Sequence, residues 1–223
     1  MKKIILFADL ALALALLSPP IVHAQGTTYV SSLGQTSTGS SAVGSDSWLA
    51  ELFRTGANPG GYLLNSIQLA LTDATGNPSA FTAMIYNQSP FLGAIEPGSS
   101  IASLSGSLTP VAAGTYTYSP ASNLTLSPST YYFIVLTAGT PVASAAYEWS
   151  TTSTDAPTLS NGWEGGGDLL SSSDGLARNW DELLSTYPLF AISGTPVPEP
   201  SVLGLLVLGG FFLVWHRRKA KAI

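Results

Sequence analysis

Cysteine is absent from this 223-residue chain, and histidine occurs only twice, at His23 and His216, near the two ends. The long middle segment therefore holds no thiol nucleophile, no Ser-His-Asp triad and no zinc site built from His or Cys. Disulfides are excluded as well, so stability has to come from the burial of apolar surface. Lysine is equally confined: Lys2, Lys3, Lys219 and Lys221 all sit at the ends, which removes a Ser-Lys dyad from the middle. Between residues 25 and 195 the cations are Arg54 and Arg178, against Asp46, Glu51, Asp73, Glu96, Glu148, Asp155, Glu164, Asp168, Asp174, Asp181 and Glu182. So acidic a body repels nucleic acid and anionic lipid, because phosphate contacts need clustered Lys or Arg. No glycine-rich phosphate loop precedes a helical pattern. By residue type alone, the expectation is a chain that is not an enzyme and carries no cofactor.

What is present lies first at the ends. Lys2-Lys3, the apolar stretch Ile4 to Leu17, and Val22-His23-Ala24 before Gln25 form the three parts of a signal peptide over residues 1–24. Pro19-Pro20 close the apolar stretch, which is too short for a permanent span, and Asp9 within it would slow insertion while charged. The other end reads Val197-Pro198-Glu199-Pro200, then an apolar run from Ser201 to Trp215, then His216-Arg217-Arg218-Lys219-Ala220-Lys221. Each part has its own physical task. The prolines keep the backbone extended and present Glu199 on a non-helical segment. The apolar run partitions into lipid as a transmembrane helix, and Arg217, Arg218, Lys219 and Lys221 hold its end on the cytoplasmic side. At about 1.5 Å per residue that run spans roughly 22 Å, against about 30 Å of hydrocarbon. Such a helix suits transient retention better than permanent anchoring.

The tripartite tail over residues 197–221 resembles the PEP-CTERM sorting signal of exopolysaccharide-producing Gram-negative bacteria. That resemblance implies an exosortase as processing partner, with Pro198, Glu199 and Pro200 as the sorting motif and a cut between Val197 and Ser201. It also implies transient residence in the inner membrane, then the cell surface, outer envelope or extracellular matrix. An exopolysaccharide or biofilm matrix becomes a candidate partner on the same ground.

The middle segment reads as one all-β domain over residues 25–195. Short runs of strand formers recur at roughly ten-residue spacing between turn clusters, which predicts an antiparallel β-sandwich, jelly-roll-like, of about eight to ten strands. Predicted strands cover Trp48–Thr55, Leu63–Thr72, Phe81–Gln88, Ile101–Leu108, Gly114–Tyr118, Leu124–Leu126, Tyr131–Thr137, Tyr147–Thr151 and Leu189–Ser193. A leading strand around Tyr29-Val30 precedes a loop that reaches Ser47. In Leu63–Thr72 the alternation places Leu63, Ile67, Leu69 and Leu71 on one face. Asn58-Pro59-Gly60-Gly61 is a turn, Pro90–Ser100 an inserted loop, and Trp180–Leu184 the one helix-like window. Asp46-Ser47-Trp48-Leu49-Ala50-Glu51-Leu52-Phe53-Arg54-Thr55-Gly56, followed by Gly61-Tyr62-Leu63-Leu64-Asn65-Ser66-Ile67, resembles the opening of the choice-of-anchor R domain. Gly114-Thr115-Tyr116, the stretch Leu124 to Tyr132, and Ser173-Asp174-Gly175 fit the same pattern. The resemblance carries no activity over; Arg54 departs from it and suggests a salt bridge with Glu51 or a neighbour.

Three kinds of site compete with plain core and surface roles. Trp149, Trp163 and Trp180, near Tyr147 and Tyr187, are candidates for stacking on sugar rings, with Asn161 and Glu164 bonding hydroxyls; filling the core is their alternative. Asp155, Glu164 and Asp168 are candidates for calcium, although no Asp-x-Asp-x-Asp pattern is present and solvated loop charges are the alternative. Glu148 with Asp155 is a conceivable glycosidase acid and base, a chance pairing in so acidic a chain. Asn87-Gln88-Ser89 and Asn123-Leu124-Thr125 match the glycosylation sequon.

Overall fold

The computed structural model describes residues 26–90, 95–175 and 177–199. The predicted signal peptide, the predicted transmembrane helix with its basic end, and the middle of the Pro90–Ser100 loop lie outside the described residues. Sixteen strands run in order among the described residues: β1 (Thr27–Ser31), β2 (Gly39–Val43), β3 (Trp48–Arg54), β4 (Tyr62–Thr75), β5 (Thr82–Gln88), β6 (Pro97–Ser105), β7 (Gly114–Pro120), β8 (Thr125–Leu126), β9 (Tyr131–Thr137), β10 (Ala146–Thr152), β11 (Thr158–Leu159), β12 (Glu164–Gly165), β13 (Leu169–Ser172), β14 (Asp181–Leu183), β15 (Tyr187–Pro188) and β16 (Phe190–Pro196). The described residues hold no helix.

All the described pairings are antiparallel, and they form one curled sheet whose two halves face each other as in a β-sandwich. The first half is built around β4, which pairs β16 and β10 on one side and β7 and β8 on the other; β1 continues beyond β16. The second half runs β6-β5-β9-β3, and β3 then pairs both β12 and β13. The halves join where Leu104 and Ser105 of β6 meet Pro120 and Ser119 of β7.

Side-chain alternation explains the core. Ile67, Leu69 and Leu71 of β4 and Ile192 of β16 point inward from the first half, while Leu49, Phe53, Ile134 and Leu136 point inward from the second. Tyr147 and Trp149 join them, fully buried. Their polar tips are not stranded: the Trp149 indole donates to Leu189 O at 3.1 Å and the Tyr147 hydroxyl to Pro78 O at 2.9 Å. Strand β9 is apolar on both faces because each face has a core to fill. Its other face, with Phe133 and Val135, packs under Ala50, Met84, Tyr86, Leu170 and Trp180 in a second, smaller cluster.

Five expectations change, the first being strand number: sixteen strands stand among the described residues where about eight to ten are expected, because two-residue ladders such as β11, β12 and β15 add to the longer ones. Leu63 does not share the core face, because the register of β16 on β4 shifts between Ser193/Gly194 and moves inward pointing from odd to even residues; Tyr62 and Leu64 are buried instead. Trp180–Leu184 contains the strand β14, paired with β13, in place of a helical turn. The end of the Pro90–Ser100 loop is already strand, since Pro97 pairs with Gln88. The loop before Ser47 contains β2, which lies along β10 from Tyr147↔Val43 to Thr151↔Gly39.

Candidate functional site

The site that the tail points to is built from a turn and the end of the last strand. Gly61 N–H donates to Asn58 O at 2.8 Å and closes Asn58-Pro59-Gly60-Gly61, with Gly61 at φ +75°. A Cβ on Gly61 would run into the Leu126 carbonyl, and one on Gly60 into the Val197 carbonyl, so both glycines are needed for close approach. The turn starts β4, and β16 pairs with β4 down to Pro196↔Tyr62. One residue further, Val197 N–H donates to Gly61 O at 3.0 Å. Asn58 Nδ2 donates to Gly61 O at 2.6 Å and to Val197 O at 3.0 Å. Both backbone groups of Val197 are thereby tied into the fold. Pro198 and Glu199 follow at once, with no linker between domain and motif.

The first and last strands of the described residues meet in this region. Thr27 pairs with Gly194. Asn65, with its amide oxygen turned toward Gly26, accepts from Gly26 N–H at 3.2 Å and from the Thr195 hydroxyl at 3.0 Å and donates to Leu63 O at 3.1 Å. The last residues of the strand are therefore held from two sides, by Asn65 at Thr195 and by Asn58 at Val197.

The three candidate tryptophans are buried: Trp149 is 0 % exposed, Trp163 2 % and Trp180 8 %. Trp163 lies between the sheet halves, stacked on Tyr29 at 4.6 Å and on Phe53 at 6.0 Å, with Tyr62 edge-on at 5.0 Å. An indole so enclosed presents no face to a sugar ring, and the alternative of core filling describes all three. Alternation in a strand gives Trp149 this place, and a tight turn, with Trp163 N–H donating to Ser160 O at 3.0 Å, gives it to Trp163.

The acidic candidates separate. Glu164 pairs with Arg54 at 2.8 Å, its cross-strand neighbour in the β3–β12 ladder. Arg54 cannot reach Glu51 on the same strand, because residues three apart point to opposite faces. Glu148 faces outward from β10 and accepts from the Ser40 hydroxyl at 2.8 Å, away from any acid–base pairing with Asp155. Asp155 and Asp168 lie instead near Glu51, a residue that carried no signal of its own in the sequence. Strand β12 ends with Gly165 opposite Phe53 and β13 resumes with Leu170 opposite Ala50, so residues 166–169 bulge out across from Glu51 and Leu52. Gly166 and Gly167 make that bulge with φ of +94° and +132°. Glu51 points inward from β3 and is 0 % exposed; neither carboxylate oxygen is in a well-formed hydrogen bond, and the Gly166 amide is the backbone donor near them. Burial pushes its carboxyl well above the usual carboxylate range, the charges of Asp155 and Asp168 push it the same way, and the Gly166 amide offsets part of this. Burial, then Asp168, raises Asp155 as well. Among the described residues no group of three or more His, Cys, Asp or Glu side chains is placed to hold a metal ion, and no helix is long and apolar enough to cross a membrane.

No curated protein and no solved structure matches the chain. A family model described as the PEP-CTERM protein-sorting motif matches residues 196–219. The match starts at Pro196, inside β16, and takes in Val197 and the Pro198-Glu199-Pro200 element. The chain carries a PEP-CTERM sorting motif, which implies export, passage through a membrane-anchored form and processing by an exosortase.

Proposed function

We propose that this chain is a non-enzymatic structural or adhesive protein, delivered by an exosortase to the cell surface and its polysaccharide matrix. The observation that carries the proposal is the sorting motif at residues 196–219 set directly on the end of a folded β-domain. Such a domain is a cargo complete in itself, with its core between two sheet halves and its termini side by side. The absence of His, Cys and Lys from residues 25–195 supports a non-catalytic role. The choice-of-anchor R-like reading of the ectodomain belongs to this proposal; its landmarks fall on β3, the start of β4, β7, β8, the start of β9 and the Ser173-Asp174-Gly175 stretch after β13, which are structural positions. Burial of Trp149, Trp163 and Trp180 favours this reading over a carbohydrate-binding module that stacks sugars on them.

The test replaces Pro198, Glu199 and Pro200 by alanine in the full chain. Insertion into the membrane depends on the apolar run and the basic end, which this variant keeps. Full-length precursor is expected to accumulate while the surface fraction falls. Surface delivery at the parental level would refute sorting through the motif.

A further inference from the structure

Residues 196 and 197 are claimed twice. They open the stretch that matches the sorting motif, and they are also part of the folded domain: Pro196 lies opposite Tyr62 in the β4–β16 ladder, and both backbone groups of Val197 are hydrogen-bonded to the Asn58–Gly61 turn. An enzyme that cuts a peptide needs several residues of backbone free and extended on both sides of the bond. The fold withholds that freedom up to Val197.

We propose that the Asn58–Gly61 turn is a clamp that competes with the exosortase for the start of the sorting motif, so that opening of the clamp at Val197 limits the rate of processing. The inference rests on the reading that an exosortase acts on this motif. Asn58 is the residue on which the clamp turns. Its side chain bridges Gly61 O (2.6 Å) and Val197 O (3.0 Å), so one amide holds the turn and the exiting strand together. Gly60 permits the approach, because any Cβ there would displace the Val197 carbonyl. The geometry also sets where the domain stands. Three residues separate Val197 from Ser201, where the apolar run begins, and a fully extended chain covers about 14 Å over those four Cα steps. With the clamp shut, the turn is held within that reach of the membrane surface. While the clamp is shut, Pro198 to Pro200 is the whole length offered to the enzyme; once it opens, the β4–β16 pairing through Pro196 still bounds the cut on its N-terminal side, so that the mature chain ends at Val197 or later.

Two variants of the full chain test this in the producing cell, by pulse-chase of precursor into mature protein and mass spectrometry of the mature C-terminus. Asn58→Ala removes the bridge and leaves the strand pairing of β16 intact. Insertion of Gly-Ser-Gly-Ser between Val197 and Pro198 leaves the clamp untouched and supplies free backbone. Processing is expected to quicken in both, on the order of fivefold for Asn58→Ala, the effect on the opening equilibrium of the one hydrogen bond lost between the turn and Val197 O. The parental mature chain is expected to end at Val197 or later. Unchanged or slower processing in the insertion variant overturns the clamp, as does a parental C-terminus before Val197. Slower processing in Asn58→Ala overturns it too when the accumulated precursor resists limited proteolysis as the parent does. If alanine in place of Pro198, Glu199 and Pro200 leaves processing intact, the sorting reading itself fails, a result distinct from either of these.

Discussion

Replacing Trp163 separates a core role from a ligand-binding role sharply. The indole touches both halves of the sheet, through Tyr29 and Tyr62 on one side and Phe53 on the other. Trp163→Ala removes a fully buried ring, which costs about 3–5 kcal/mol in transfer and cavity terms. Aromatic pairs add about 0.5–1.5 kcal/mol each, only partly on top of that figure, so a loss of about 4–5 kcal/mol is expected. Against a total stability on the order of 5–15 kcal/mol, this is a large fraction. For a domain of this size it corresponds to a fall in Tm of roughly 10–20 °C. Trp163→Phe should behave quite differently. The smaller ring keeps most stacking contacts, and it also eliminates the indole N–H, which is buried without a hydrogen-bond partner. An unsatisfied buried donor costs about 1–3 kcal/mol, which offsets much of the lost volume. Trp163→Phe is therefore expected within about 1 kcal/mol of the parent. Urea unfolding followed by far-UV circular dichroism, with m-values compared to verify equal exposure on unfolding, measures both variants. A cost below about 1 kcal/mol for Trp163→Ala would refute the enclosed position, since no fully buried tryptophan is lost so cheaply. A loss of glycan binding at unchanged stability would refute it from the other direction.

Three further outcomes follow from particular contacts. The Glu51 carboxyl is raised in the folded state above its ordinary 4.5, so its share of stability is fully present below about pH 4.5 and is lost as pH rises toward the folded value. A rise in pH from 4.5 to about 7 therefore destabilises the parent, and Glu51→Gln, which cannot ionise, should be spared that loss. Urea midpoints from pH 4.5 to 8 should converge at the acid end and diverge above it; parallel curves would count against the burial of an unpaired acid. Arg54→Ala should cost about 0–1 kcal/mol, less at high salt, because the Arg54–Glu164 pair is 34 % and 55 % exposed, and a salt-independent loss would contradict the pairing. Gly61→Ala should cost about 2 kcal/mol or more, since it forces a Cβ into left-handed backbone and against the Leu126 carbonyl; a neutral outcome in thermal unfolding would mean that the turn adopts another form.

The amino-acid sequence by itself determined the elements whose signal is local. The tail is read from residue order alone, because extended prolines, an apolar run and a basic end each act without tertiary help. Tyr131–Thr137 is legible as a buried central strand, since seven residues without a polar face can only be covered on both sides, and its bounds coincide with β9. The long alternation of β4 is legible from Ile67 onward for the same reason. Tertiary structure decided what depends on partners far along the chain. Strands β11, β12 and β15 hold two residues each, too few for a period, and exist because a neighbour supplies the ladder. The shift that turns Leu63 outward is a property of the pairing with β16, not of Leu63 or its neighbours. Glu51 looks like an ordinary solvated carboxylate in sequence, yet inward alternation of β3 and a glycine bulge more than a hundred residues later seal it off. The clamp is of the same kind. Asn58 and Val197 stand 139 residues apart, and a hydrogen bond between them arises only because β16 returns to the start of β4, where long-range pairing, not local preference, sets the register.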